Sequence, residues 1–539
     1  MVDAPVPALA PAPAASRPRR APAWAAALAG AAAGFAAIAA AELFAGLVAG
    51  APSLVVAVGD VVIAFQPPGA KDLVVALFGT SDKLALQVVI VLAAVAIAAG
   101  AGVLASRRFR NGAALFVVFG LLAALAGQRD AQAEPLYALV GGLVAVGAGL
   151  AVLRALLELA GGVAPAAAAT GPATPATAAS PMPDWDRRRF LIASAGTIGG
   201  AVAATAVGRS LLETRGGEEI VTVSRLPAAL EPAPPLATGQ ELAVEGITPL
   251  VVANDDFYRI DTALIVPRVR LDTWSLEVTG MVDRPISFTY DELLEMPLFE
   301  QHVTIACVSN VVGGDLVGNA LWTGVRLRDV LEAAGVQEGA TQIVGRSVDG
   351  FTAGFPTAWA LEPGREAMIA VGMNRERLPV DHGFPARLIV PGLYGYVSAT
   401  KWLAAIELTR REEVDGYWIP LGWAKDAPIL TQSRIDVPTQ DATIPAGSTE
   451  VAGIAWAPDR GVAGVEVRVD DGPWQPARMS RPISDATWVQ WAFSWNAPAG
   501  RHRLEVRATD GDGDTQTEER TDVAPDGARG HHRIGVNVG

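Results

Sequence analysis

One cysteine, Cys307, stands among 539 residues. A single thiol cannot form an internal disulfide, and a Cys-rich zinc site or a Cys-ligated iron–sulfur cluster needs several. A lone free cysteine is most often a buried core residue. As a thiolate it is also a soft metal ligand, so its neighbours decide its meaning. Arg259, Asp349, His382, Arg387 and Lys401 share its half of the chain, as do all five histidines. The apolar segments therefore hold no histidine pair that could ligate heme. Adjacent His531 and His532 could bind stray metal, but on a β tail they are read as surface residues without a role.

The elements that must position these groups differ sharply between the two halves. Before about residue 215 the chain is mostly Ala, Val, Leu and Gly in uncharged runs, so the net charge of −14 describes mainly the second half. An acidic surface without dense Lys or Arg clusters argues against nucleic acid, whose phosphates must be neutralised. A bilayer core needs roughly 20 apolar residues as helix. Trp24 to Ala49, Leu84 to Ala105, Ala113 to Gly127 and Leu136 to Leu157 approach that length. Ser53 to Phe65 and Asp72 to Thr80 are shorter and read as interfacial or re-entrant, with a helical hairpin as the alternative. Glu42 lies within the first span, where a carboxylate is costly and either functional, as a proton or quinone contact, or protonated or turned to a helix partner. Glu158 is expected at the interface.

Arginines collect before the first span (Arg17, Arg19, Arg20) and after the second (Arg107, Arg108, Arg110), which predicts a cytoplasmic N-terminus. After an Ala/Pro/Thr-rich linker (161–186) comes Asp186-Arg187-Arg188-Arg189-Phe190-Leu191-Ile192 and an uncharged stretch. This string resembles an internal twin-arginine export signal. The bland alternative is an ordinary fifth span with a basic cytoplasmic end. Both place everything after residue 212 outside the cytoplasm.

From Trp274 the pattern is that of a mixed α/β domain: a strand at Trp274 to Thr279, a helix at Tyr290 to Met296, a strand at Thr304 to Ala306 and a helix at Leu327 to Ala334. After Pro445, alternating runs flank Asp470-Asp471-Gly472 and Asp510-Gly511, turn signals of a small β-sandwich. Trp474, Trp488, Trp491 and Trp495 exceed what such a core hides. They are expected to pair two chains or to brace the preceding domain.

Two strings carry a specific resemblance. The first is Thr304-Ile305-Ala306-Cys307-Val308-Ser309-Asn310, followed by Asn319-Ala320-Leu321-Trp322-Thr323-Gly324-Val325. The second runs Asp381-His382-Gly383-Phe384-Pro385-Ala386-Arg387, through Gly392 and Gly395, to Thr400-Lys401-Trp402. From about Asn254 onward the chain resembles the sulfite oxidase family of molybdopterin enzymes. The resemblance implies an α/β (α+β) molybdopterin domain followed by an immunoglobulin-like β-sandwich that often mediates dimerisation. Placed behind an α-helical transmembrane bundle, this gives residues 1–22 as tail, 23–160 as about four spans and 187–212 as a fifth. Residues 213–440 are then the oxidoreductase domain and 441–539 the sandwich.

The resemblance further implies Cys307 as the molybdenum ligand, and His382, Arg387, Ser398, Thr400 and Lys401 as cofactor contacts. Arg offers a fork to phosphate, and a glycine beside His allows close backbone approach. Asn254, Phe257, Tyr258 and Asp349 are further expected contacts, with Arg259 facing the substrate. Two departures bear on substrate. Val311 and Val312 stand where the family carries arginines, and the nearest candidates for its tyrosine are Tyr417 and Trp423, so a sulfite dianion is less well provided for. The expected function is two-electron oxygen-atom transfer to or from a small oxo compound, either sulfite-like oxidation or sulfoxide reduction. Implied partners are membrane lipid and an external quinone or cytochrome, without a heme or iron–sulfur cluster in the chain. The rival reading is a non-catalytic membrane scaffold built on a degenerate cofactor domain.

Overall fold

A computed structural model describes residues 21–65, 82–130, 133–161, 184–214 and 226–539. The arginines before the first span, Gln66 to Thr80 and most of the linker lie outside them. The chain divides into two compact units, Met1–Arg215 and Gly216–Gly539.

In the first unit the apolar runs form α1 (Ala23–Leu47), α2 (Leu54–Ala64), α3 (Asp82–Arg107), α4 (Phe109–Gly127), α5 (Pro135–Gly161) and α6 (Asp184–Thr214). Five of these are long and apolar enough to cross a membrane. α2, at 11 residues, is too short. The expected linker ends early, because residues 184–186 already belong to α6. Small residues let the helices meet backbone to backbone. A Cβ on Gly30 would stand 2.1 Å from the Ala98 carbonyl, and one on Gly46 would stand 2.5 Å from that of Gly208. Near the start of α6, Phe190 meets Trp24 edge-on at 6.0 Å, and Arg187 lies over the same ring. Near its end Arg209 faces Glu42 at 3.6 Å, so α1 and α6 run in the same direction.

Glu42 is fully buried and turned to partners within the bundle. Ser53, the cap of α2, donates its hydroxyl at 2.8 Å, and the Val55 N–H follows at 3.3 Å. Arg209 also bonds Gln87. This satisfies a polar cluster that lipid would not. Glu158 forms an exposed pair with Arg154.

The second unit begins with two sheets. One orders as β2 (Ile286–Phe288), β1 (Leu276–Gly280), β10 (Leu403–Thr409), β5 (Gln342–Ser347) and β6 (Thr352–Pro356), with β1 parallel to β10. The other orders as β3 (Leu298–Ala306), β4 (Val317–Arg326), β7 (Met368–Met373) and β8 (Glu376–Arg377), with β9 (Arg387–Ile389) also on β7. Short helices α7 (Tyr290–Glu295), α8 (Leu327–Ala334), α9 (Thr357–Leu361) and α10 (Gly395–Ser398) fill the connections. Thr289 and Glu292 close a capping box on α7. α8 buries Leu327, Val330, Leu331 and Ala334, the spacing of one helical face, and ends at Gly335 with φ +73°. Each buried leucine there contributes about 2 kcal/mol.

The remaining strands form two more sheets around a shared apolar core. One is β11 (Gln432–Val437), β13 (Gly447–Trp456), β17 (Val489–Ala497) and β16 (Arg478–Met479). The other is β12 (Thr443–Ile444), β19 (His532–Val538), β18 (Gly500–Asp510), β14 (Val462–Val469) and β15 (Gln475–Pro476). The first sheet thus takes a strand from before residue 441.

Trp488, Trp491 and Trp495 are buried, which corrects the expectation of a tryptophan surplus at the surface. Trp488 packs into the core of the preceding domain, and its indole donates to Leu250 at 2.9 Å. Trp474 is partly exposed between Arg468 and Arg507. Trp491 and Trp495 lie in the core shared by the two C-terminal sheets, so of the four only Trp488 braces the preceding domain. The surface reading of the histidine pair is corrected as well. His531, just before β19, is buried against Glu505 at 2.8 Å and Gln516 at 2.9 Å.

Candidate active site

Cys307 follows β3 directly and is half-buried. β3 and β4 pair antiparallel from Leu298↔Val325 to Ala306↔Val317, so Cys307 opens the connecting loop. Its N–H continues the ladder to Leu316 at 2.9 Å, and Asn310 donates back to the Cys307 carbonyl at 3.1 Å. The loop is thus pinned at its base by the same strands that define the sheet.

The second string forms two segments laced together. Trp402 N–H reaches Gly383 at 3.1 Å, Leu403 reaches Ala386 at 2.9 Å, and Leu388 reaches Thr400 at 3.0 Å. The Trp402 indole adds a bond to Val380 at 2.8 Å. Such lacing explains how His382, Arg387, Thr400 and Lys401 converge from distant positions. Gly383 has φ +110°, and a Cβ there would stand 2.9 Å from the Lys401 Cβ. Its glycine is therefore required by Lys401. Trp402 holds φ +49°, a sparsely populated conformation for a large side chain.

Arg387 is buried on β9, with its guanidinium 5.0 Å over the Trp322 ring. It donates to the His382 carbonyl at 3.0 Å and to that of Ala399 at 3.5 Å. Burial pulls its pKa down to about 10, while nearby Tyr258 works the other way. The Tyr258 phenol is pushed well above its ordinary range by burial and by Cys307, against a smaller opposing effect of Arg387. Tyr258 stacks on Phe257 at 5.2 Å, and Phe257 meets Trp322 and His382 edge-on. Tyr258 is thus close enough to both Cys307 and Arg387 to feel their charges.

His382 bonds the Asn254 carbonyl through Nε2 at 2.9 Å, and burial is the main reason its pKa drops to about 4. Its imidazole is neutral at ordinary pH and donates to that carbonyl. Lys401 donates to Asp261 at 2.9 Å and to the Asp381 carbonyl at 3.1 Å. Burial lowers its pKa to about 8, with Asp261 resisting.

The other expected residues have protein partners of their own. Asn254 spends its side chain on Asn374 at 2.8 Å and Glu376 at 3.1 Å. Asp349 closes its own turn on the Phe351 N–H at 3.1 Å, although that turn adjoins Trp402 through Val348. The Ser398 hydroxyl donates to the carbonyls of Leu393 and Tyr394, just before α10. Arg259 is held by Asp381 at 3.0 Å and Asp261 at 3.3 Å. Tyr417 and Trp423 belong to an aromatic run with Phe351, Trp418 and Tyr396. Sequence reasoning missed Asp261 and Tyr394. Burial raises the Tyr394 phenol to about 12, with Cys307 among the groups that push it upward. The only signal for Asp261 was its place two residues after Arg259, and for Tyr394 its place beside Gly395.

Residues 263–418 match the family model of the oxidoreductase molybdopterin-binding domain. Mitochondrial sulfite oxidase of Homo sapiens is 30% identical over 288 residues, covering 45% of this chain and 53% of that protein. Nitrate reductase [NADH] 1 of Oryza sativa subsp. japonica is 36% identical over 179 residues, 28% of this chain and 19% of its own length. The sulfane dehydrogenase SoxCD of Paracoccus pantotrophus is 19% identical with a TM-score of 0.48, covering 54% of this chain and 84% of that one. The chain spans about half the length of the sulfite oxidases it matches.

The residues fit an anionic, phosphate-bearing cofactor with a metal. Arg387 Nε and the Thr400 hydroxyl are buried without a protein partner. Buried donors in that state suit a ligand bringing acceptor oxygens, while the one thiol of the chain stands within electrostatic reach of the same cluster. The chain therefore carries an oxidoreductase molybdopterin-binding domain similar to that of the sulfite oxidases and nitrate reductases, whose cofactor is molybdenum–molybdopterin.

Proposed function

We propose that the protein is a molybdenum-dependent oxidoreductase at the outer face of a membrane, moving an oxygen atom to or from a small oxo compound. The observation that carries this reading is the convergence of Cys307, Tyr258 and buried Arg387 with its unpartnered Nε. When bound, the molybdenum–pterin group supplies the two-electron oxygen-atom chemistry. Cys307 holds the metal through a soft thiolate. Arg387 and Thr400 offer their unused donors to the pterin and its phosphate, and Lys401 adds positive charge below about pH 8. Tyr258 remains a protonated phenol and so a donor.

Substrate charge follows from Arg259. Two carboxylates already hold it, and Val311 and Val312 add no cation. A compact dianion is therefore less favoured than a neutral oxo compound, which supports sulfoxide reduction over sulfite oxidation. The parallel course of α1 and α6 agrees with five crossings that begin inside and deliver the domain outside, where a quinone or cytochrome exchanges electrons. Molybdenum analysis of the purified full chain, expressed with cofactor supply, tests the reading. A stoichiometry near one is expected, and less than about a tenth per chain would favour the scaffold.

A further inference from the structure

The loop that carries Cys307 is gripped on both sides by the C-terminal sheets. Before the cysteine, Thr304 donates its N–H to the Ala486 carbonyl at 2.9 Å, and its hydroxyl accepts from the Trp488 N–H at 2.8 Å. After the cysteine, Arg434 on β11 donates to the Gly314 carbonyl at 2.8 Å. Beside it the His532 ring lies on Gly313, where a Cβ would stand 2.3 Å from the imidazole Cδ2.

Both gripping side chains are themselves fixed. Arg434 donates to Asp436 and to the Thr248 hydroxyl, each at 2.7 Å. His532 accepts from the Ile435 N–H through Nδ1 at 3.0 Å. Within the loop, Gly314 N–H bonds Val311 at 2.8 Å, and the Asn310 side chain accepts from Leu316 at 2.9 Å. Two consecutive glycines at the tip, one at φ +80°, give the backbone freedom that only outside contacts remove. Movement there reaches Cys307 through Asn310 and the Leu316 bond.

We infer that Arg434 and His532 are positioning residues for the Cys307 loop, so that the C-terminal sheets set the thiolate's place rather than serving only as a fold support. A metal ligand must be held closely by the groups around it, and here those groups come from a different part of the chain. The functional weight of this clasp rests on Cys307 being the metal ligand.

Because Cys307 is the sole cysteine, iodoacetamide labelling of the cofactor-free full chain in detergent reads this loop alone. His532→Ala and Arg434→Met should each label about fivefold faster, through more frequent local opening. His532→Phe, which keeps a ring on Gly313 but loses the Ile435 bond, should label more slowly than His532→Ala, and Arg501→Ala on the exposed far end of β18 should label like the parent. In the molybdenum-loaded chain, the first two variants should alter the Mo(V) paramagnetic resonance signal and lower kcat with little change in KM. Should His532→Ala not fold, Arg434→Lys, which keeps the charge and one donor, should show a smaller increase in labelling. Parental labelling rates in both His532→Ala and Arg434→Met, or equal acceleration in Arg501→Ala, would overturn the clasp. A Cys307→Ser chain that keeps its molybdenum would instead remove the ligand assignment, leaving the labelling result to stand by itself.

Discussion

The Lys401 ammonium lies 2.9 Å from the Asp261 carboxylate, with both side chains almost wholly out of solvent. Arg259 shares the same carboxylate at 3.3 Å. One acid thus balances two cations beside the site. Removing it leaves a buried ammonium without its counter-charge, which costs about 3–5 kcal/mol. Asp261→Asn should therefore lower the thermal midpoint markedly and weaken cofactor retention. Asp261→Asn with Lys401→Met should recover much of the loss, and additivity of the two single effects in that cycle would show that the pair is not coupled.

A second expectation concerns acid. His382 titrates near 4 in the native chain, against 6.5 for the unperturbed group, chiefly because burial disfavours its charge. Between those values the unfolded chain binds the extra proton and the native chain does not, so stability falls as pH drops from about 6.5 toward 4. The full contribution is on the order of 3 kcal/mol. His532, lowered to about 4 mainly by burial, adds a loss of the same sign. Denaturant unfolding at pH 7, 5.5 and 4.5 should show a shallower decline for His382→Gln than for the parent. Parallel curves would place the acid sensitivity elsewhere.

How much of this was legible beforehand depended on the range of the interactions. The α8 face followed from local periodicity and the spans from the length of their apolar runs, because each is decided by neighbours close in sequence. Cys307, His382, Arg387 and Lys401 were readable because they sit in strings with a specific resemblance. Asp261 was not, since its value comes from Lys401 across a long stretch of chain. For the same reason the carboxylate partners of Arg259 were not legible: they are set by the fold, and one of them is Asp381. His532 looked like a surface residue because nothing near it in sequence reveals that Gly313 would lie beneath its ring.

Replacing Cys307 by Ser should abolish turnover while the protein still folds, because a hard hydroxyl is a poor substitute for thiolate at this metal. Its neighbours argue that folding survives: the loop is fixed by backbone bonds to Leu316 and Asn310 that a serine retains. Activity with a sulfoxide and an artificial electron donor, measured alongside the melting curve, separates the two effects. A serine variant with parental turnover would remove the central assignment.

The last prediction concerns whether the second unit is exported through the twin-arginine-like string at the start of α6. Arg187 lies 5.7 Å from the Trp24 ring, and Phe190 is fully buried against the same side chain. The motif residues thus pack within the helical unit, as an ordinary fifth span would also require. The two readings separate on the chemistry of the cation. Positive-inside topology needs only charge, whereas recognition of a twin-arginine signal needs guanidinium. Changing Arg187 and Arg188 to Lys keeps the charge and the cation–ring contact, so α1 to α5 should insert as before. Export of the second unit should stop, and protease protection of its C-terminus in spheroplasts would report that directly. Continued accessibility to protease would assign α6 to the ordinary insertion route, with its arginines acting only as a cytoplasmic stop.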